Sequence, residues 1–96
     1  MDEQTAGRFR VVVEEGPPHG DLYELEQTTY YHVVDNATGQ VVLTFASDMA
    51  ASLSRSTGLW DDHRFWGVCD VRLAPDGQSV TIHYQDGRTE TRPLPR

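Results

Sequence analysis

The sequence contains one cysteine, no lysine and no long apolar run. The single thiol of Cys69 excludes a disulfide within the chain and is typical of proteins in the reducing cytoplasm. No apolar segment approaches the roughly 20 residues that a membrane-spanning helix needs, and the first residues lack the apolar segment of a signal peptide. All eight basic residues are arginine, which we attribute to a GC-rich genome rather than to a structural demand. We therefore expect a cytoplasmic protein that does not engage a membrane.

Basic residues are too few to balance the acids. The chain has 15 Asp and Glu against 8 Arg, a formal net charge of −7. Long-range repulsion from a phosphate backbone argues against direct nucleic-acid binding, whereas a basic protein surface would be attracted. Residues 1–27 alone hold seven acids and two arginines, a net charge of −5. Five of these acids are candidates for partner binding: Glu14, Glu15, Asp21, Glu24 and Glu26.

Alternating apolar and polar residues predict several β-strands. The predicted strands cover residues 8–14, 28–34, 40–45, 68–74, 79–84 and 88–92. "DNATGQ" between the second and third strands predicts a hairpin turn in which Gly39 takes a positive φ. Alternation turns Cys69 inward in the fourth strand, and the charged last strand, followed by prolines, is typical of a sheet edge.

The segment 47–58 predicts a short helix. Ser47 can cap this helix and Gly58 can end it. Met49 and Leu53 are four residues apart, the spacing that places two apolar side chains on one helical face. The helix would lie between the third and fourth strands.

The expected fold is one α+β domain over residues 1–96, mainly an antiparallel β-meander of five to six strands with one short helix between strands 3 and 4. A small open β-barrel satisfies the same alternation and stays open as the alternative. Residues 72–90, with turns at Pro75-Asp76-Gly77 and Asp86-Gly87, resemble the inner hairpins of a WD-repeat propeller blade. A propeller needs at least four blades of about 40–45 residues, so we expect a free-standing sheet.

Side chains for metal or covalent chemistry are not grouped in the sequence. The four histidines (His19, His32, His63 and His83) lack the spacing of a zinc site. There is no Gly-x-Ser-x-Gly nucleophile turn and no glycine-rich phosphate loop. We therefore expect neither a metal site nor a cofactor, and no enzymatic activity.

The segment 58–67, "GLWDDHRFWG", is the best candidate for partner contact. Tryptophan and arginine are the residue types most enriched at interface hot spots. The candidate residues are Trp60, Asp61, Asp62, Arg64 and Trp66. Two interpretations of the indoles remain open at this point, because they either close the end of a small core or face a partner.

These observations favour a non-enzymatic acidic domain that binds a basic protein partner, in the manner of an inhibitor, an immunity protein or an antirepressor. One alternative is a small accessory domain that acts mainly through homodimerisation. A second alternative is a small ligand-binding or catalytic barrel.

Overall fold

The computed structural model describes residues 4–95, and all of its strands belong to one curled antiparallel sheet, a half-barrel. The strands are β1 (Gln4–Ala6), β2 (Phe9–Glu15), β3 (His19–Gly20), β4 (Glu24–Asp35), β5 (Val41–Leu53), β6 (Trp60–Leu73), β7 (Ser79–Tyr84) and β8 (Thr89–Pro93). Their order across the sheet is β1-β2-β4-β5-β6-β7-β8, with β3 paired to β4. Asp2 and Glu3, which contribute to the acidic segment, lie outside the described residues.

Strand β6 joins the two parts of the sheet. Its residues 60–67 pair with β5, and its residues 68–73 pair with β7. Gly67 lies where β6 leaves β5 and has a φ of +82°. A Cβ at Gly67 would be 2.6 Å from the carbonyl oxygen of Ala46, so only glycine fits this approach without a shift of the backbone.

The curled sheet encloses a small aliphatic and aromatic core. The core residues are Phe9, Val11, Val33 and Phe45 from β2, β4 and β5, and Val68, Val71, Val80, Ile82 and Leu94 from the second half of β6 onward. Val80 and Ile82 of β7 are fully buried in this core. Tyr84 packs against the same cluster and is half-buried.

One side chain links β1 to β6 where the barrel is open. The Nε2 of Gln4 donates to the carbonyl of Val71 at 2.7 Å, and the backbone amide of Leu73 donates to the Oε1 of Gln4 at 3.1 Å. Within residues 4–95 no strand pairs with residues 68–73 of β6 on the side away from β7, so these two bonds take the place of a ladder there. A groove of about 1100 Å³ lies beside this link.

The predicted helix over residues 47–58 is wrong, because β5 continues to Leu53 and a turn follows. Strand β5 is paired on one side with β4 and on the other with β6. Ala50 and Ala51 are buried within this three-stranded arrangement. The two ladders and this burial outweigh the intrinsic helix preference of alanine, which is below about 1 kcal/mol per residue. The α+β class is therefore wrong; the fold is all-β, and the alternative of a small open barrel fits it.

The strand count and one inward residue also differ from expectation. Residues 4–95 form eight strands rather than five to six, because the short strands β1 and β3 add to the six predicted ones. Residues 60–67, expected to connect a helix to a strand, lengthen β6 instead. Cys69 is exposed, not inward. The register of β6 with β7 shifts between Val68 and Asp70, so Val68 and Val71 are the buried residues and the thiol faces out.

All three glycine turns named in the sequence are present, and Gly87, between β7 and β8, has a φ of +92°. Gly39 has a φ of +75° in the hairpin between β4 and β5, and Gly77 has a φ of +71° between β6 and β7. The amide of Gly39 donates to the carbonyl of Asp35 at 2.7 Å, which closes the first turn. The charged strand β8 is the last in the sheet order, as predicted.

The molecule is elongated because three strands extend beyond the core. Its principal extents are 54 × 26 × 17 Å and its radius of gyration is 16.1 Å. A compact chain of this length has a radius of gyration of about 12.5 Å. We call the extension the arm; it comprises residues 24–30 of β4, 46–53 of β5 and 60–67 of β6.

A candidate partner-binding arm

Cross-strand pairing defines two faces of the arm. Directly paired residues in an antiparallel sheet project to the same side, and successive residues alternate. Met49 pairs with Gln27 on one side and with Phe65 on the other, and its face continues into the core of the half-barrel. We call this the core face; its residues in the arm include Leu25, Gln27, Met49, Ala51, Leu53, Trp60 and Phe65.

A bulge in β6 decides which aromatic rings share a face. Ala50 pairs with Arg64 and Ser52 pairs with Asp61, so Ala51 faces two residues, Asp62 and His63. Asp62 has a φ of +52° and is the only non-glycine residue with positive φ among the described ones. The extra residue brings Trp60 and Phe65 to the core face and leaves Trp66 on the opposite one.

The opposite side, which we call the outer face, is polar and acidic. Three cross-strand rows cover it: Glu24, Ser52 and Asp61; Glu26, Ala50 and Arg64; Thr28, Asp48 and Trp66. The Oγ1 of Thr28 donates to the Oδ1 of Asp48 at 2.7 Å, which fixes the carboxylate next to the indole. The outer face therefore joins four carboxylates, one guanidinium and one indole.

The aromatic side chains of the arm are exposed to solvent. The exposed fraction is 40% for Trp60, 46% for Trp66 and 56% for Phe65. Neither indole contributes to the core, so the interpretation in which they close its end does not apply to the isolated chain. Leu22, Tyr23 and Leu59 are also exposed, at the tip of the arm. Exposed apolar side chains that cluster in this way are typical of interaction surfaces.

Not all predicted partner-binding residues meet on one surface. The structure brings together Glu24, Glu26, Asp61, Arg64 and Trp66 on the outer face. Trp60 is on the core face, so the two indoles point to opposite sides of the arm. Asp62 forms the bulge and joins neither row.

The three remaining acids have different surroundings. Glu14 pairs with Tyr30 and its Oε1 lies 3.0 Å from the Nε2 of His32, so it extends the outer face toward the half-barrel. Glu15 pairs with Thr29, whose side chain belongs to the core face. Asp21 accepts hydrogen bonds from the amides of Tyr23 and Glu24, which hold the pKa of its carboxyl below the usual value and give it a role in the turn before β4.

The groove beside Gln4 is the other concave feature. It is lined by residues of β2 and β6, among them Val13, Glu15, Asp70 and Arg72, and by Tyr31. Burial, and then the charge of Asp70, raise the pKa of the Tyr31 hydroxyl. Arg72 is already paired with Asp70 at 2.7 Å. Serine, cysteine and histidine are not among the residues that line the groove.

Neither a cluster of metal-ligating side chains nor a membrane-spanning helix occurs in the described part of the chain. Within residues 4–95 no group of three or more His, Cys, Asp and Glu side chains is arranged to hold a metal ion. The same residues include no helix with the length and apolar character needed to cross a membrane.

Sequence reasoning missed Phe65 and Met49 as members of the arm. Phe65 lies next to Trp66 in the candidate segment 58–67, and "RFW" alternates as a strand does. Met49 lies in the segment predicted as a helix, and the structure places it in β5. The cross-strand pair of Met49 and Phe65 is a contact that neither segment reveals alone.

No protein-family model, curated protein or solved structure matches this chain. The functional argument therefore depends on the geometry and the charge of the arm.

Proposed function

We propose that the protein is a non-enzymatic protein-binding domain that engages a basic partner through the outer face of its arm. The observation that carries this proposal is the exposed indole of Trp66 beside the carboxylate of Asp48, on a strand arrangement that extends beyond the core. An aromatic anchor with a charged rim is the common anatomy of a protein interface. Inhibitors, immunity proteins and antirepressors are the classes of protein that such a domain resembles in its chemistry.

Charge supports a basic partner. Glu24, Glu26, Asp48 and Asp61 share the outer face with a single arginine, and the whole chain carries a net charge of −7. Such a surface accelerates encounter with a basic protein and repels a polyanion, so we propose no direct contact with nucleic acid. Rim charges act mainly on the association rate, which falls as salt screens them.

The pairing of the arm on both sides of β5 supports a preformed site. Strand β5 pairs with β4 over residues 46–52 and, except at the bulge, with β6 over residues 47–53, so two ladders hold the outer-face rows. A partner that docks on a fixed sheet face orders fewer side chains than one that docks on a loop. The presence of a single cysteine is compatible with the reducing cytoplasm, where we propose that the protein acts.

The experiment is a quantitative comparison of partner binding by matched variants. The wild-type chain captures the partner from host extract, the partner is identified by mass spectrometry, and its dissociation constant is then measured with purified components. Trp66→Ala should weaken binding by about 30-fold, the equivalent of about 2 kcal/mol at a hot spot. Glu24→Arg should slow association, with a smaller effect at high salt.

Glu15→Arg is the matched control. It makes the same charge change as Glu24→Arg but lies on the core face. Binding by Glu15→Arg should therefore stay close to the wild-type value. The proposal is contradicted if folded Trp66→Ala and Glu24→Arg both bind the partner as wild type does, or if all three variants weaken binding equally.

A further inference from the structure

The two long edges of the arm differ in whether another segment pairs with their backbone. On the β4 side, the segment 16–20 covers the edge: the amide of Gly16 donates to the carbonyl of Thr28 at 2.8 Å, and β3 pairs with Leu25 and Glu26. On the β6 side, β7 begins its pairing only at Val68. Within residues 4–95 no strand pairs with the outer edge of residues 60–66. A row of backbone amides and carbonyls is thus open to a further strand.

The residues along this open edge have a self-complementary order. Residues 59–66 read apolar, aromatic, acid, acid, base, base, aromatic, aromatic: Leu59, Trp60, Asp61, Asp62, His63, Arg64, Phe65 and Trp66. A two-fold axis between Asp62 and His63 pairs each acid with a base and each apolar residue with another apolar residue. Two identical surfaces related by a two-fold axis must have this self-complementarity to associate.

The faces to which these side chains project are compatible with antiparallel pairing about this axis. Antiparallel neighbours must project to one side of the sheet. Trp60 and Phe65, which the axis brings together, are both on the core face, and Asp61 and Arg64 are both on the outer face. Without the bulge at Asp62 the members of each pair would lie on opposite faces. Because of the bulge, a second copy can pair with this edge so that the two members of each complementary pair project to the same face.

The charges on this edge have no partner inside the described chain. Within residues 4–95 the side chains of Asp61, Asp62 and Arg64 form no ion pair and no hydrogen bond, whereas Asp70, Asp86 and Glu90 each pair with an arginine two residues away. Charged residues and bulges commonly keep edge strands apart. In this chain, a second copy in parallel orientation would place acid beside acid and would be repelled. An antiparallel copy would place acid beside base and would be attracted.

We infer that the outer edge of β6 binds the same edge of a second copy of this chain, in an antiparallel pairing about a two-fold axis between Asp62 and His63. Asp61 of each copy faces Arg64 of the other, and Trp60 faces Phe65. The pairing joins two arms into one continuous sheet. This inference concerns the edge of the arm and goes beyond the proposed binding of a basic protein by the outer face.

The test reverses the charges that face each other across the two-fold axis. In a dimer of the Asp61→Arg variant, the new arginine of each copy faces Arg64 of the other. In a dimer of the Arg64→Asp variant, Asp61 of each copy faces the new aspartate of the other. Each variant alone should lose self-association by about tenfold or more, because like charges placed directly opposite destabilise strand pairing. An equimolar mixture of the two variants restores both attractive pairs, so it should form a heterodimer with an affinity close to that of wild type. Sedimentation under reducing conditions measures the association of each single variant and of their mixture, with 10.8 kDa as the monomer mass.

The double variant Asp61→Arg with Arg64→Asp restores the pairs within one chain and should recover the homodimer. Glu15→Arg, remote from the edge, should associate as wild type does. Circular dichroism verifies that each chain is folded. A wild-type chain that stays monomeric up to about 1 mM, where self-association would be worth only about 4 kcal/mol, overturns the inference. So does a mixture that associates no better than its folded components, or single variants that dimerise as wild type does.

Discussion

Replacing Gly67 by alanine tests how the arm joins the half-barrel. The backbone at Gly67 has a φ of +82°, and an added Cβ would lie 2.6 Å from the carbonyl oxygen of Ala46. Gly39 has a similar φ of +75° but no atom within 4 Å of its added Cβ. The two substitutions therefore share the conformational penalty and differ in the steric one.

The expected magnitudes follow from this difference. The left-handed conformation costs a residue with a Cβ about 1–2 kcal/mol, which is the whole cost expected for Gly39→Ala. Gly67→Ala must also displace a carbonyl within the β5–β6 ladder, so we expect a loss of about 3 kcal/mol or more in the free energy of unfolding. That loss is a large part of the roughly 5–15 kcal/mol that stabilises a small domain.

Urea unfolding followed by circular dichroism measures both variants. The midpoint should fall clearly further for Gly67→Ala than for Gly39→Ala, with similar slopes against denaturant. Equal midpoints for the two variants would show that β6 does not approach β5 closely at Gly67, and the junction described for the arm would then be wrong.

Four further outcomes are expected. The exposed thiol of Cys69 should react with a thiol reagent in the folded protein at nearly the rate seen in urea, and strong protection would contradict its outward position. Gln4→Ala should lower the free energy of unfolding by about 1–3 kcal/mol, because it removes both bonds to β6; an unchanged midpoint would contradict that link. Gly77→Val should lower the unfolding midpoint, because φ is +71° and a Cβ would lie 2.6 Å from a carbonyl oxygen; wild-type stability would refute the assigned turn. Bonds to the amide and guanidinium of Arg88 lower the pKa of Asp86, so its carboxylate stabilises the fold above the unfolded-state pKa of about 3.9, and this contribution disappears as pH falls through the lower folded-state value. Asp86→Asn should therefore be less stable than wild type at neutral pH and equal to it at low pH, and a difference that persists in acid would contradict the pairing.

The strands of the half-barrel could be predicted from sequence because their alternation is strong. Phe9 and Val11 alternate with polar residues, and the turn at Gly39 has the residues that such a hairpin needs. A strand with one packed face and one solvated face alternates apolar and polar residues, and this alternation is visible in the sequence. The fold class was nevertheless wrong, because one segment lacked that signal.

The arm could not be predicted because its strands are stabilised by their neighbours. Ala50 and Ala51 lie on opposite faces of β5 and are both buried, so no alternation marks the strand. The face of Trp60 depends on a single extra residue at Asp62, and the face of Cys69 depends on another shift of register. Bulges of this kind are set by tertiary pairing and change the side of every residue that follows.

Hydrogen exchange of the purified complex with its protein partner tests the role of the arm most directly. If the outer face binds the partner, amides in residues 24–30, 46–53 and 60–67 should gain protection on binding, while amides around the groove of Val13 and Arg72 should exchange as in the free protein. Protection confined to the groove, with exchange in the arm unchanged, would contradict the account.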